Sequence, residues 1–320
     1  MYQCFVENFP ETKSLPFFIV SPFEVKNCGY NSDNFFVSTH PHLSDLSFIA
    51  CDRLIDFVKI QKPENVIVLL SGGSSALIEK SNDKKECMAL NEKLLKSGLP
   101  ITEINRIRSE VSLVKNGKFA ELFENINWYV FVMSDIPYYG GEKNVGSMPF
   151  FREDLNNTEL FKCADSDSLH NQLLRKLPKN TVSVRNFVGQ VEELKNLIVN
   201  QIESGTESLL VTGEPLLKVN AEKSGAGGRM SHLALLLLPF LKEKMRLLAL
   251  SSDGIDGNSP FAGAIVEGCR HSFDKKEIEL YLKEYNSAIL LDKFGFMLKT
   301  GYTGVNLNDF VIFLKEQNRG

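Results

Sequence analysis

The stretch VIVLLSGGSSALI, Val66 to Ile78, decides how the rest of the sequence is read. An apolar run ends at Ser71, two glycines follow, and serines then open a helix-like segment. A buried strand broken by a glycine turn begins phosphate loops, dinucleotide loops and hydrolase nucleophile turns. This stretch lacks G-K-[ST], so it is not a P-loop, and it lacks the third glycine of a dinucleotide fingerprint. Gly72-Gly73-Ser74-Ser75-Ala76 approaches the G-x-S-x-G elbow, with Ala in the last place. A serine hydrolase would also need an acid and a histidine; Ser74, Asp253 and His271 supply them in chain order only.

The same alternation continues on both sides. Upstream, FFIV from Phe17 and FFVS from Phe35 read as strands, and Ser44 caps a helix written SDLSFIACDRLIDFVKI. Downstream come helices near Lys84–Ser97 and Thr102–Leu113, strand WYVFVM from Trp128, and a glycine- and proline-rich loop from Asp135 to Pro149. Strand TVSV, helix QVEELKNLIVNQIESG, strand SLLVT, helix MSHLALLLLPFLKEK and strand MRLLALS follow. A helix from about Pro260 and a strand at FVIFL close the chain. Strands alternating with helices predict an α/β protein with a mostly parallel sheet covered on both faces. The helix ending at Gly205 is the natural boundary between an N-terminal domain, 1–205, and a C-terminal one, 206–320.

Bulk properties exclude several classes. The 320 residues carry a formal net charge of -4, which argues against a nucleic-acid partner. The start, MYQCFVENFPETKSL, has no signal-peptide pattern, and the leucine run Leu233–Leu241 is too short to span a bilayer. A soluble cytoplasmic protein is expected. Six scattered cysteines without C-x-x-C spacing, and no H-E-x-x-H, leave no zinc or redox signature.

In open parallel sheets ligands bind beyond the carboxyl ends of strands. Four apolar runs end there in glycines or acids: Ser71-Gly72-Gly73-Ser74-Ser75, Ser134-Asp135, Gly213-Glu214, and Ser252-Asp253-Gly254 with Asp256. Any one of these is ordinary turn chemistry. Their recurrence points to backbone N–H groups approaching an anion and to carboxylates beside a magnesium ion carrying phosphates. Gly225-Ala226-Gly227-Gly228-Arg229 precedes a helix, whose N-terminus is an anion site with Arg229 beside it. Asn105 and Arg108, three apart, share a helical face.

Taken in order, SGGSSAL, ITEINRIRSEVSLVKNGKFA, MSDIP with VGSMP, TGEPLLKV, SGAGGR, SSDGIDGNSPFAGAIV and TGYTGVNLNDF resemble the MOFRL-type glycerate 2-kinases, from about Phe17 to Leu314. The resemblance implies two domains: a Rossmann-like, mostly parallel N-terminal sheet with flanking helices, and a C-terminal MOFRL-like α/β domain. The active-site cleft would lie between them. It implies phosphorylation of the 2-hydroxyl of D-glycerate or a related small hydroxy acid with ATP and magnesium. Ser71, Gly72, Gly73, Ser74 and Ser75 match the family's N-domain glycine loop. Asn105 and Arg108 match its Asn-x-x-Arg pair, which would hold a carboxylate or phosphate. Arg229, Asp135 and Asp253 would be catalytic, with Asp135 and Asp253 as the metal ligands. Glu214, Gly225, Gly227, Gly228, Asp256, Asn306 and Asp309 would line the substrate and nucleotide.

The sequence also departs from the family. The Gly-Lys-Ala turn with its catalytic lysine has no counterpart, and Lys13 is a poor substitute. Tyr138-Tyr139-Gly140-Gly141 replaces an acidic stretch, and Met230-Ser231-His232 replaces Asn-Gln-Glu after Arg229. These changes fall on ligand-facing loops. They leave open a relative without kinase activity that binds a nucleotide or small anion on the same scaffold.

Overall fold

The computed structural model describes residues 1–22, 33–99, 101–136, 140–219, 225–268 and 274–316, excepting the side chains of 101 and 102. Tyr138, Tyr139, His271, the Ser224 of the SGAGGR motif, and Cys28 and Cys269 among the six cysteines lie outside the described residues. In chain order the elements are α1 (Tyr2–Asn8), β1 (Ile19–Ser21), β2 (Phe35–Val37), α2 (Asp45–Gln61), β3 (Asn65–Ser71), α3 (Lys84–Lys96), α4 (Ile101–Val111), α5 (Lys118–Glu121) and β4 (Asn127–Met133). Then come β5 (Thr158–Ala164), α6 (Ser166–Leu174), β6 (Val182–Gln190), α7 (Val191–Glu203), β7 (Ser208–Leu216), α8 (Arg229–Leu237) and β8 (Met245–Ser251). β9 (Gly263–Glu267), α9 (Lys275–Lys283), α10 (Ser287–Lys293), β10 (Met297–Leu298) and β11 (Asp309–Lys315) complete the chain.

The chain divides into two compact units: Met1–Ser134 with Tyr139–Cys163, and Asp135–Tyr138 with Ala164–Gly320. This division falls at Ala164, not at Gly205. The reason is strand pairing: β6 runs parallel to β7, so residues before Gly205 belong to the second unit's sheet.

In the first unit β3 and β4 pair in parallel, Asn65 opposite Asn127 through Ser71 opposite Met133, and β5 joins at β4. β1 and β2 form a separate parallel pair. The parallel expectation holds for these two pairs. Ser44 accepts from the Leu46 N–H and caps α2, as its position before an amphipathic run predicts. The core centres on Trp128, edge-on to Phe119 at 5.8 Å and stacked on Phe150 at 5.6 Å.

The second unit's sheet has the order β10-β9-β8-β11-β7-β6. Only β6 and β7 are parallel; β11 inserts antiparallel between β7 and β8, and β9 and β10 follow antiparallel. Extending the parallel expectation to this sheet is therefore corrected. The segment expected to be helical from Pro260 is β9, where β-branched Ile265 and Val266 pair against Leu248 and Leu247. β5 and α6 were not anticipated. The leucine run becomes α8, apolar on every side because it is buried among Leu194 and Ile198 of α7, Leu247 of β8 and Val311 of β11. Among the described residues no helix is long and apolar enough to cross a membrane.

Candidate active site

In the second unit the site follows from where β11 begins. Because β11 runs antiparallel, its first residue, Asp309, lies opposite both Gly213 of β7 and Ser251 of β8. β7 also runs on through Gly213 and Glu214 to Leu216, so Glu214 is a strand residue and not part of a loop. Its neighbour Gly213 has φ +152, and a Cβ there would stand 2.1 Å from the Phe187 carbonyl oxygen on β6. Glycine is what allows the two strands to meet at that point.

Arg229, the first residue of α8, reaches into this corner. Its Nε lies 2.8 Å from Asp309 Oδ2 without hydrogen-bond alignment, and its Nη1 donates to Glu214 Oε1 at 3.2 Å. Ser251 Oγ donates to the other Asp309 oxygen at 2.6 Å. Burial lowers the Arg229 pKa, but Asp309 and Glu214 more than offset it, so it stands above the ordinary value. Burial lifts Asp309 to about 7 against the pull of Arg229 and Ser251. Burial likewise raises Asp135, with a further push from Glu214. Among the described residues Arg229 Nη2 makes no hydrogen bond.

The glycine loop before α8 has a different occupation from the one expected. Asp256 is fully buried, and its carboxylate accepts from the N–H groups of Met230 (2.9 Å), Ser231 (2.8 Å) and Gly228 (3.1 Å). The anion at this helix N-terminus is the chain's own side chain, and burial raises its pKa. A Cβ on Gly228 would meet Asp256 Oδ1 at 2.3 Å, and one on Gly225 would meet Asn286 Cα at 2.7 Å. Asn258 Oδ1 accepts from the Gly227 N–H, and Asn286 Oδ1 from that of Ala226. Asp253 accepts from the N–H of Ile255 through a carboxylate oxygen at 3.0 Å, and Asn306 from that of Asn308 through its amide oxygen at 3.1 Å. Ser251, Asn258 and Asn286 were not singled out from sequence. Their partners are distant in the chain, and no local pattern marks them.

The first unit holds the other group of expected residues. Gly73, φ +79, turns the chain after β3, and Ser74 Oγ donates to the Ser71 carbonyl at 2.8 Å, so this hydroxyl is used within the turn. Lys115 is buried beneath the loop: its Nζ donates to the Ser75 carbonyl at 2.7 Å and pairs with buried Glu79 at 3.0 Å. Sequence reading passed over both residues. Asn105 Oδ1 accepts from Ser147 Oγ at 2.9 Å, and Ser147 and Met148 have φ of +56 and +44, the left-handed region non-glycine residues avoid. Arg108 is 8 % exposed, and its Nε has no hydrogen-bond partner. No ion pair to it is present among the described residues. Burial lowers its pKa, with Glu79 opposing.

Residues 11–180 match a domain of unknown function, DUF4147, and residues 207–309 match the MOFRL family. The glycerate 2-kinase of Sulfurisphaera tokodaii is 32% identical, over 86% of this chain and 78% of that relative. The chain belongs to the glycerate 2-kinase family. The D-glycerate 2-kinase of Thermotoga maritima is 29% identical over 86% of this chain and 78% of its own length. A crystal structure of glycerate kinase from that organism superposes with a TM-score of 0.83, 25% sequence identity, over 94% of this chain and 85% of the other. The family's two matches meet between residues 180 and 207, close to the Gly205 boundary, while the compact units divide at Ala164. Among the described residues no three His, Cys, Asp or Glu side chains converge as a metal cage would require.

Proposed function

We propose that the protein phosphorylates the 2-hydroxyl of D-glycerate, or of a closely related small hydroxy acid, using ATP and magnesium. The observation that carries this reading is Arg108. A guanidinium withdrawn from water without an anion beside it is costly, and it gains most from a ligand carboxylate bound in a bidentate way. Asn105, oriented by Ser147, adds an amide to the same helical face. These two residues hold the acid's carboxylate.

Phosphoryl transfer asks the protein for positioning and charge neutralisation more than for covalent help. Arg229 supplies the charge. Asp309 and Glu214 fix the guanidinium from one side and leave Nη2 for the transferring group. ATP provides the phosphoryl group, and magnesium neutralises its oxygens. An ion that arrives on phosphates needs only one or two protein carboxylates, so a site without a preformed cage is compatible with it. Asp135 is the first such carboxylate, since burial and Glu214 leave it short of positive charge. Asp253 contributes the oxygen it does not spend on Ile255.

Coupled ADP release, measured with and without D-glycerate and with and without magnesium, tests the proposal. Release that needs both is the expected result. Stabilisation by ATP without any turnover would instead identify a nucleotide-binding relative without kinase activity.

A further inference from the structure

The second unit contains a cavity of ≈ 560 Å³ to which, of the residues discussed so far, His232 contributes. Its walls come from the residues after β7, from α7, α8 and α9, and from Tyr285. Leu217 and Leu236 make it apolar on two sides, His232 and Tyr285 line it with rings, and Lys218 and Lys283 add two cations. Glu192 also lines it.

Three observations bear on what this open cavity can hold. The rings of His232 and Tyr285 stack at 5.8 Å with an interplanar angle of 24°, a built aromatic face. Tyr285, φ +52, is the left-handed residue that ends α9, with the Asn286 N–H donating to the Tyr281 carbonyl at 2.9 Å, and this turn fixes where its ring stands. The cavity is also joined to the Arg229 corner by short covalent paths. His232 is one turn along α8 from Arg229, about 5 Å along the axis. Leu217 is three residues beyond Glu214, about 10 Å of extended chain. Asn286, next to Tyr285, holds the Ala226 N–H of the glycine loop at 2.9 Å.

We propose that this cavity binds the base and ribose of the phosphoryl-donor nucleotide, with the phosphates running past Lys218 and the start of α8 toward Arg229. The proposal rests on the kinase reading and names the donor's place within it. A planar heterocycle stacks on the ring pair and buries its edges against Leu217 and Leu236. Burial, against the pull of Glu192, lowers the His232 pKa, which favours the uncharged ring for stacking. The two lysines match a polyphosphate in sign.

The test compares the full-length protein with two variants. One carries Lys218→Glu and Lys283→Glu at exposed positions, where the fold is not at stake. The other, Leu236→Trp, fills the cavity, and its melting temperature is measured alongside. ADP binding is followed by calorimetry, and KM is measured separately for ATP and D-glycerate. Each variant should weaken ADP and raise KM for ATP by about tenfold or more, while KM for D-glycerate stays within about twofold. If the wild type turns over D-glycerate and the charge variant keeps its KM for ATP, the proposal is overturned and the kinase reading stands. If the wild type binds ADP without turnover and the variants lose that binding, the cavity assignment stands and the kinase reading falls. A wild type that neither binds ADP nor turns over overturns both.

Discussion

Arg108 and Arg229 both sit on helices, Arg108 nearly fully buried and Arg229 with 32% of its side chain exposed, and among the described residues only Arg229 is ion-paired. Arg229 stands among Asp309 and Glu214, whose pull outweighs its burial. Arg108 has the burial without the pairing. The two environments imply different duties. A guanidinium already neutralised by its own chain is held in place and offers a fixed edge to a charge that develops during reaction. On the proposed reading, one without an ion-pair partner takes the anion that arrives with a ligand.

The largest effect should come from Arg229→Ala. Loss of a charge that stabilises the transition state lowers kcat by about 10²–10³-fold. Stability should also fall, because buried Asp309 is left without its counter-ion. Steady-state kinetics and urea denaturation on one preparation give both numbers. If kcat keeps its wild-type value, Arg229 has no part in the transfer.

Arg108→Met should break the symmetry between the two arginines. KM for D-glycerate should rise about 30–100-fold, equivalent to about 2–3 kcal/mol of a charged hydrogen-bonded contact. The apo protein, however, should melt no lower than wild type, because an uncompensated buried charge has been removed. A clear loss of thermal stability would mean that Arg108 has a structural partner, and the argument for a carboxylate site would fail.

Much of this architecture was legible in the sequence, and the exceptions share one cause. β3, β4, α2 with its Ser44 cap and the buried α8 were readable because the signals are local: apolar period, capping residue, run length. β9 is hard to read as a strand because it opens on Gly263 and Ala264 and holds only two β-branched residues, Ile265 and Val266. α6 was missed although Asp165 caps it through the Ser168 N–H at 2.8 Å. The antiparallel entry of β11, the placement of Glu214 inside β7 and the capping of α8 by Asp256 depend on pairings across 25 or more residues. The sequence shows that an acid and a glycine are present. It does not show whether the acid faces a ligand or an internal N–H group, and that distinction decides what Asp256 does.

The pH dependence of stability isolates the Arg229 side of the comparison. Asp309 has a folded pKa of about 7 against an ordinary ~3.9, so the folded protein binds the proton more tightly. Its favourable contribution is present below about pH 4 and is lost as pH rises through about 7, roughly 2–3 kcal/mol between pH 5 and 8. Asp256 and Asp135 are raised as well and act in the same direction. Asp309→Asn should flatten the fall in melting temperature across that range. An unchanged profile would place the titration elsewhere.

The smallest contrast concerns the two glycine loops, which look alike in sequence and differ in physical cause. Gly73 is needed for its φ of +79; a Cβ there meets His40 Nε2 at 3.0 Å, a side chain able to shift. Gly228 is needed for proximity, because a Cβ would stand 2.3 Å from Asp256 Oδ1 and 2.4 Å from the Gly257 nitrogen. Gly73→Ala should therefore lose about 1–2 kcal/mol, the left-handed penalty alone. Gly228→Ala should lose about 3 kcal/mol, since overpacking there also pries Asp256 from the N–H groups of α8. Denaturant midpoints at constant m-value measure the difference. Equal losses would mean that the α8 cap tolerates displacement, and the helix end would then be free to accept an anion from a ligand instead of from Asp256.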